Sequence, residues 1–341
     1  MSVAEYMTLC LLDPTDGYYP TRDPLGSDGD FITAPEISQM FGELLGLFVL
    51  QSWRDMGSPS PVALAELGPG TGKMMADILR TARLDPGFLN AATVHLVEAS
   101  PALQAVQGGE LSHTPVPVLW HDSLEALPRM PLILIGNEYL DCLPIRQLVR
   151  RSDGWRERVV TIQGDALAFA QSSTPHPEEA RSTVSKYPDE GDLLELRPAT
   201  AQVVASLADR LHAHPGRALF IDYGPADTEF GDTLQALKRH EKVDPLDTPG
   251  DADLTARVDF GQLAREAEAA GLAVSGPVTQ AALLSRLGLE VRASALLRAN
   301  PAAKPALARQ LHRLTDAEEM GTLFKAICLS SPGLPAPLGF G

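Results

Sequence analysis

The sequence predicts an α/β fold. A mostly parallel, doubly wound sheet follows a helical N-terminal segment and is interrupted by an inserted antiparallel and helical region. Three observations predict it. Short apolar runs alternate with helix-patterned stretches between residues 62 and 135. A glycine-rich turn joins the first of these runs to the helix after it. The alternation then gives way to a hairpin-like pair of runs and resumes with RALFIDYG at 217–224. Strands covered on both faces read as near-continuous apolar runs, and strands linked through helices run parallel.

Residues 3–12 (VAEYMTLCLL) have the pattern of a short helix. Residues 13–31 are rich in turn formers, with Pro14, Gly17, Pro20, Pro24, Gly26 and Gly29. Ser38 has the character of an N-cap, because Met40, Phe41, Leu44, Leu45, Phe48, Val49 and Trp53 behind it recur at helical spacing. VALAEL at 62–67 is the first core strand and KMMADILRTAR at 73–83 its helix. Strands are expected at 93–100, 115–120 and 132–135, with a helix at 101–107. IRQLVRRSDGWRERVVTI at 145–162 reads as two strands around a Ser-Asp-Gly turn. Residues 171–192, polar and proline-containing, read as a loop. Helices at 199–213, 260–270, 279–298 and 302–312 and strands at 217–224, 272–275 and 323–329 complete the expectation. The corresponding organisation is an N-terminal helical segment and lid at 1–58, a first part of the α/β core at 59–150, an insertion at 151–215, and a second part of the core with helical additions at 216–341.

Of the 341 residues, 44% are apolar, enough for a sizeable core. With 44 acidic and 28 basic side chains the formal charge is −16. Such a surface argues against nucleic acid as a partner and suits a basic substrate, although solubility alone also accounts for it. The apolar stretch at 41–49 is too short to span a bilayer and carries Glu43. The N-terminus lacks the features of a secretory or transit signal, so a cytoplasmic protein without membrane insertion is expected. Cys10, Cys142 and Cys328 are scattered, which gives no metal site and makes reduced thiols the simplest account. Oligomeric state stays open, with a homodimer among the options.

The most informative segment is Glu66-Leu67-Gly68-Pro69-Gly70-Thr71-Gly72. A Walker A loop fails here, since Leu67 replaces its first glycine and Met74 its hydroxyl. A dinucleotide fingerprint fails as well, with Lys73 or Met75 at its last glycine. The remaining pattern, E-x-G-x-G-x-G, resembles the first motif of class I methyltransferases, and Gly68, Gly70 and Gly72 would hold the methionyl end of S-adenosyl-L-methionine. Glu98 at the second strand's end is placed to accept from ribose hydroxyls, and Asp122 and Ser123 after the third stand where adenine is recognised. Asn137, Glu138 and Asp141 follow the fourth strand, beside the expected sulfonium. Carboxylates there can orient a guanidinium and localise its charge away from the attacking nitrogen. Either carboxylate could instead cap a helix or hold a neighbouring loop.

Longer strings resemble the MidA family, bacterial and mitochondrial methyltransferases whose mitochondrial member assists assembly of respiratory complex I. They are Asp16-Gly17-Tyr18-Tyr19, GDFITAPEIS at 29–38 with Phe41-Gly42-Glu43, NEYLDCLP at 137–144, Trp155-Arg156-Glu157-Arg158, Ile221-Asp222-Tyr223-Gly224 and Asp259-Phe260. The resemblance runs over nearly the whole chain. It implies a Rossmann-like class I methyltransferase fold, S-adenosyl-L-methionine at the glycine turn, and protein arginine N-methylation of a complex I subunit. Where the family turn reads GPGRGTLM, this chain has GPGTGKMM. NEYLDCLP keeps the polar residues of the family's NEFFDALP and changes apolar ones. Within the GDF string, Phe31 could cover the adenosine and Thr33 could bond the cofactor carboxylate. Equally, Thr33, Glu36 and Ser38 could form a capping network for the helix at Ser38. Two other functions stay open: a small-molecule methyltransferase, and an assembly chaperone that binds the cofactor without turnover.

Overall fold

A computed structural model describes residues 1–21, 33–176, 187–239 and 241–341. The expected contact of Phe31, and the rest of the string at 29–32, lie outside the described residues. In chain order come α1 (Val3–Leu12), α2 (Tyr18–Thr21), α3 (Ala34–Ile37) and α4 (Gln39–Asp55). Next are β1 (Val62–Leu67), α5 (Lys73–Ala82), α6 (Pro86–Ala91), β2 (Ala92–Val97), α7 (Pro101–Glu110), β3 (Val118–His121) and β4 (Leu132–Asn137). Then follow β5 (Arg146–Arg151), β6 (Gly154–Gln163), β7 (Ala166–His176), β8 (Leu193–Leu196), α8 (Pro198–Ala213) and β9 (Gly216–Tyr223). The chain closes with β10 (Gln235–Lys238), β11 (Glu241–Val243), β12 (Asp253–Thr255), α9 (Phe260–Ala269), β13 (Ala273–Thr279), α10 (Gln280–Arg286), α11 (Leu289–Ala299), α12 (Lys304–Thr315), α13 (Met320–Leu323) and β14 (Phe324–Ser330).

These elements fall into two compact units. One comprises Ile32–Tyr139, Val204–Gly224 and Ala264–Gly341. Its sheet has seven strands in the order β13-β14-β9-β4-β1-β2-β3. The five strands from β9 to β3 are parallel, and β14 runs antiparallel to both neighbours. The connections leave β1 in opposite directions, through β2 and β3 on one side and β4 and β9 on the other, so a topological switch point lies between β1 and β4. Both of these strands are buried along their whole length, as their apolar runs require.

α4 packs on α5 through two glycines. A Cβ on Gly42 would stand 2.6 Å from Asp77 Cβ, and one on Gly46 2.6 Å from Thr81 Cβ, so only glycine allows this approach. Ser38 caps α4 by accepting from the Met40 N–H. Glu43, buried on α4, accepts from Arg292 Nε and Nη2 at 2.7 and 2.9 Å and from Arg80 Nε at 3.3 Å, which ties α4 to α5 and α11.

The other unit comprises Met1–Phe31, Leu140–Val203 and Pro225–Leu263. It holds an antiparallel sheet in the order β7-β6-β5-β8 and a small one in the order β11-β10-β12. Val3, Tyr6, Met7 and Leu11 of α1 pack with Ile145, Val160 and Leu254.

Three expectations need correction. Residues 171–176, read as loop, form the end of β7, where Gln171, Pro175 and His176 pair with β6 across a register shift, because ladder pairing depends on the neighbouring strand and not on the polarity of the side chains. The helix expected at 279–298 is two helices, split at Gly288, whose φ of 98° an α-helix does not accommodate. The turn-rich stretch after residue 13 contains the one-turn helix α2.

Candidate active site

Strand register aligns the tips of the parallel sheet. Leu67 pairs with Val97 and Gly136, Val97 with His121, and Gly136 with Phe220. One residue beyond that row stand Gly68, Glu98, Asp122 and Asn137. The structure therefore brings together, on the carboxyl edge beside the switch point, residues from four separate segments, where open α/β sheets bind ligands.

The turn after β1 runs through three left-handed glycines, with φ of 60° at Gly68, 55° at Gly70 and 85° at Gly72. Gly68 is exposed, and a Cβ there would lie 3.3 Å from the Tyr139 ring. Glu66 lies one residue inside the row and is 2% exposed. Its Oε2 has no partner among the described residues, and burial pushes its carboxyl well above the ordinary range. Glu98 follows β2 directly and is buried; burial raises its pKa, against hydrogen bonds that lower it. The Ser100 N–H donates to Glu98 Oε1 at 2.8 Å and the Gln107 amide to Oε2 at 3.1 Å. Asp122 is exposed, and Ser123 opens the short turn at Leu124–Ala126 without a side-chain capping bond.

At the tip of β4, Glu138 has φ of 52°, unusual for a residue with a side chain. Its N–H donates to the Ile221 carbonyl at 2.9 Å, which locks this conformation to β9. Glu138 Oε1 accepts from Asn137 Nδ2 at 3.0 Å and from the Ala34 N–H at 3.3 Å. Among the described residues Oε2 has no donor. Burial, and secondly the charge of Asp222, raise the Glu138 pKa to about 7. Asn137 Oδ1 is buried and has no partner among the described residues. Asp141 falls in the other unit, where it is buried and its carbonyl accepts from the Ala256 N–H.

α3 connects these parts. Its Ala34 N–H reaches Glu138, and its Glu36 accepts from Thr71 Oγ1 at 2.6 Å and from Lys73 Nζ. Thr71 and Lys73, two of the three side chains that depart from the family's usual turn, thus share one carboxylate partner. Among the described residues Glu36 joins no capping network, and Thr33 is the N-cap of α3 without a side-chain capping bond. Gln107 and the bridging role of Glu36 had no local sequence signal, since Glu36 reaches Thr71, 35 positions on, and Gln107 joins Gly70, 37 positions back, to Glu98 and Trp120 on other segments.

Next to the row, His95 Nδ1 and His121 Nε2 lie 2.9 Å apart. Burial, and secondly the charge of His121, lower the His95 pKa to about 4. An unfolded histidine titrates near 6.5, so from there down to about 4 the unfolded chain binds a proton that the folded chain does not. Stability contributed by the neutral ring is complete above pH 6.5 and is lost as the pH falls through this window. Between pH 7 and 5 the melting temperature of the protein is expected to fall about 3 °C further than that of His95→Gln. Equal pH slopes in thermal melts would refute this.

The residues present fit an adenosyl cofactor. A glycine cradle, a buried carboxylate at the next strand tip, and unpartnered oxygens on Glu66 and Asn137 converge on one sheet edge. Comparisons agree with this reading. Residues 44–278 match the model of the family described as "Putative S-adenosyl-L-methionine-dependent methyltransferase". Protein arginine methyltransferase NDUFAF7, mitochondrial, from Danio rerio is 37% identical over 348 residues, 95% of this chain and 82% of the relative. The human protein of the same name is 35% identical over 356 residues, 96% and 80% of the two chains. A crystal structure from Burkholderia thailandensis with S-adenosyl-homocysteine bound superposes with a TM-score of 0.88 at 29% identity, covering 99% of this chain and 89% of that one. The chain belongs to the MidA family of S-adenosyl-L-methionine-dependent class I methyltransferases.

Proposed function

We propose that this methyltransferase modifies an arginine of a protein substrate, and that Glu138, with Asn137 and Asp222 beside it, receives the guanidinium. The observation that carries the reading is the strained, partly buried Glu138, whose Oε1 is held by two donors while Oε2 has none among the described residues. S-adenosyl-L-methionine supplies the methyl group on its sulfonium when bound. Gly68, Gly70, Gly72, Glu66, Glu98, Asp122, Ser123 and Thr33 are the residues we assign to holding it, together with Phe31, which lies outside the described residues.

An arginine guanidinium keeps its proton at any physiological pH. Pairing with the ionised Glu138 orients it and draws the positive charge toward the carboxylate, which leaves the opposite nitrogen richer in electrons for attack. Asp222 adds negative potential to the same edge, and Asn137 fixes the carboxylate's rotamer. Asp141, the further acidic candidate of the sequence, lies in the other compact unit. The overall charge of −16 favours approach of a basic protein segment. The resemblance set out above points to a subunit of NADH–quinone oxidoreductase as that protein.

The compartment is part of the proposal. Cys10 and Cys328 are buried thiols, which suits reducing surroundings, the cytoplasm by our reading, although the relatives above are mitochondrial by name. No helix among the described residues is long and apolar enough to cross a membrane.

The test is methyl-labelled cofactor added with purified protein to a lysate from cells lacking it, followed by identification of the labelled residue. Label on an arginine of a complex I subunit supports the full reading. Label on another protein's arginine removes the complex I assignment. Label on a metabolite overturns protein methylation.

A further inference from the structure

We propose that Gln107 is the positioning residue of the cofactor cradle, joining through one amide the glycine turn, the Glu98 carboxylate and the third strand. This rests on the reading of the strand tips as the cofactor site.

Gln107 lies on α7 and is fully buried. Its Nε2 donates to the Gly70 carbonyl at 2.9 Å and to Glu98 Oε2 at 3.1 Å, and its Oε1 accepts from Trp120 Nε1 at 2.8 Å. The orientation of the amide is not arbitrary. An indole N–H can only donate, so the atom facing Trp120 must be the oxygen. Both hydrogens of Nε2 are then committed to two acceptors, one on the turn after β1 and one just past β2. Gly72 lies against α7, where a Cβ would make ordinary contact with the Gln107 backbone at 3.4 Å, so its φ of 85° is what requires glycine there.

The arrangement leaves Glu98 directed. One oxygen is held by the Ser100 N–H and the other by Gln107, so each retains a lone pair for an incoming hydroxyl while the carboxylate cannot rotate. The Gly70 carbonyl, held by the same nitrogen, fixes the turn at a set distance from that carboxylate. Preorganisation of this kind appears in cofactor affinity, because an unheld turn and carboxylate must be ordered when ligand binds.

The experiment is calorimetric titration of S-adenosylhomocysteine into wild type, Gln107→Glu, Gln107→Leu and Trp120→Phe between pH 6 and 9. Gln107→Glu keeps the shape and removes the donors. At pH 9 two carboxylates face one another and affinity is expected to fall about 10- to 100-fold. Toward pH 6 the pair can share a proton, the hydrogen bond to Glu98 returns, and affinity recovers toward wild type. Gln107→Leu places no charge in the core and is expected to bind about 10-fold more weakly at every pH. Trp120→Phe, which releases the amide's orientation while leaving Gln107, Gly70 and Glu98 in place, should fall between it and wild type. A merely structural glutamine would lower the melting temperature of these variants without a pH-dependent recovery of affinity in Gln107→Glu. Affinities within twofold of wild type for both Gln107 variants across the range overturn the proposal. If wild type itself binds no S-adenosylhomocysteine, the cradle reading fails, and this inference with it.

Discussion

Glu138→Gln is expected to lower kcat by about 10²- to 10³-fold while S-adenosylhomocysteine affinity stays within about threefold of wild type. The substitution is isosteric. A glutamine oxygen still accepts from Asn137 Nδ2 and the Ala34 N–H, so the rotamer and the link to α3 survive. What disappears is the negative charge that would polarise the guanidinium. The pH profile supplies a second readout. With the Glu138 pKa raised to about 7 by burial and the charge of Asp222, the carboxylate is mostly protonated below neutrality and ionised above it. Wild-type kcat/KM should therefore rise with pH through about 7, whereas Glu138→Gln should lack that limb. Near-normal turnover in the variant would remove Glu138 from the catalytic groups. An unchanged acid limb in the variant would assign that titration elsewhere.

Gly68→Val is expected to weaken S-adenosylhomocysteine binding by about 10²-fold or more. Two costs combine. The φ of 60° lies in the left-handed region, which a β-branched residue occupies only with strain. The added Cβ would also stand 3.3 Å from Tyr139 Cδ2, on the exposed side of the turn where the ligand must approach. Even a shift of about 1 Å in such a turn can lose two orders of magnitude in function. Gly57→Val is the control. Gly57 also has a positive φ, 84°, but nothing lies within 4 Å of its added Cβ. It should lose stability in a thermal melt while keeping cofactor affinity. Equal affinity in Gly68→Val and wild type would mean that the ligand does not lie over this turn.

The contrast between Gly68 and Gln107 separates what was legible in the sequence from what was not. The glycine turn announced itself because its conformation, its flanking strand and the helix behind it are local, within a dozen residues. The same holds for Ser38, whose capping bond reaches Met40, two residues on. Glu98 and Asn137 were legible one step further, since alternating strands and helices place successive strand ends on one edge. Gln107, by contrast, occupies a helix position that reads as ordinary polar sequence, and its partners are Gly70, Glu98 and Trp120. Glu36 looked like a capping residue, yet its partners are Thr71 and Lys73. The residues of β7 at 171–176 looked like loop, because an edge strand obtains its hydrogen bonds from a neighbour rather than from its own composition.

By itself, then, the sequence determined the fold class, the glycine turn after β1 and the acidic character of the strand tips. Each of these depends on backbone freedom or on periodic burial, which neighbouring residues specify. Only the tertiary structure decided which side chains hold that edge in place, and that Asp141 belongs to a different compact unit from Glu138. Hydrogen bonds between side chains far apart in sequence, and the boundary between units, arise from three-dimensional packing and leave no periodic trace along the chain.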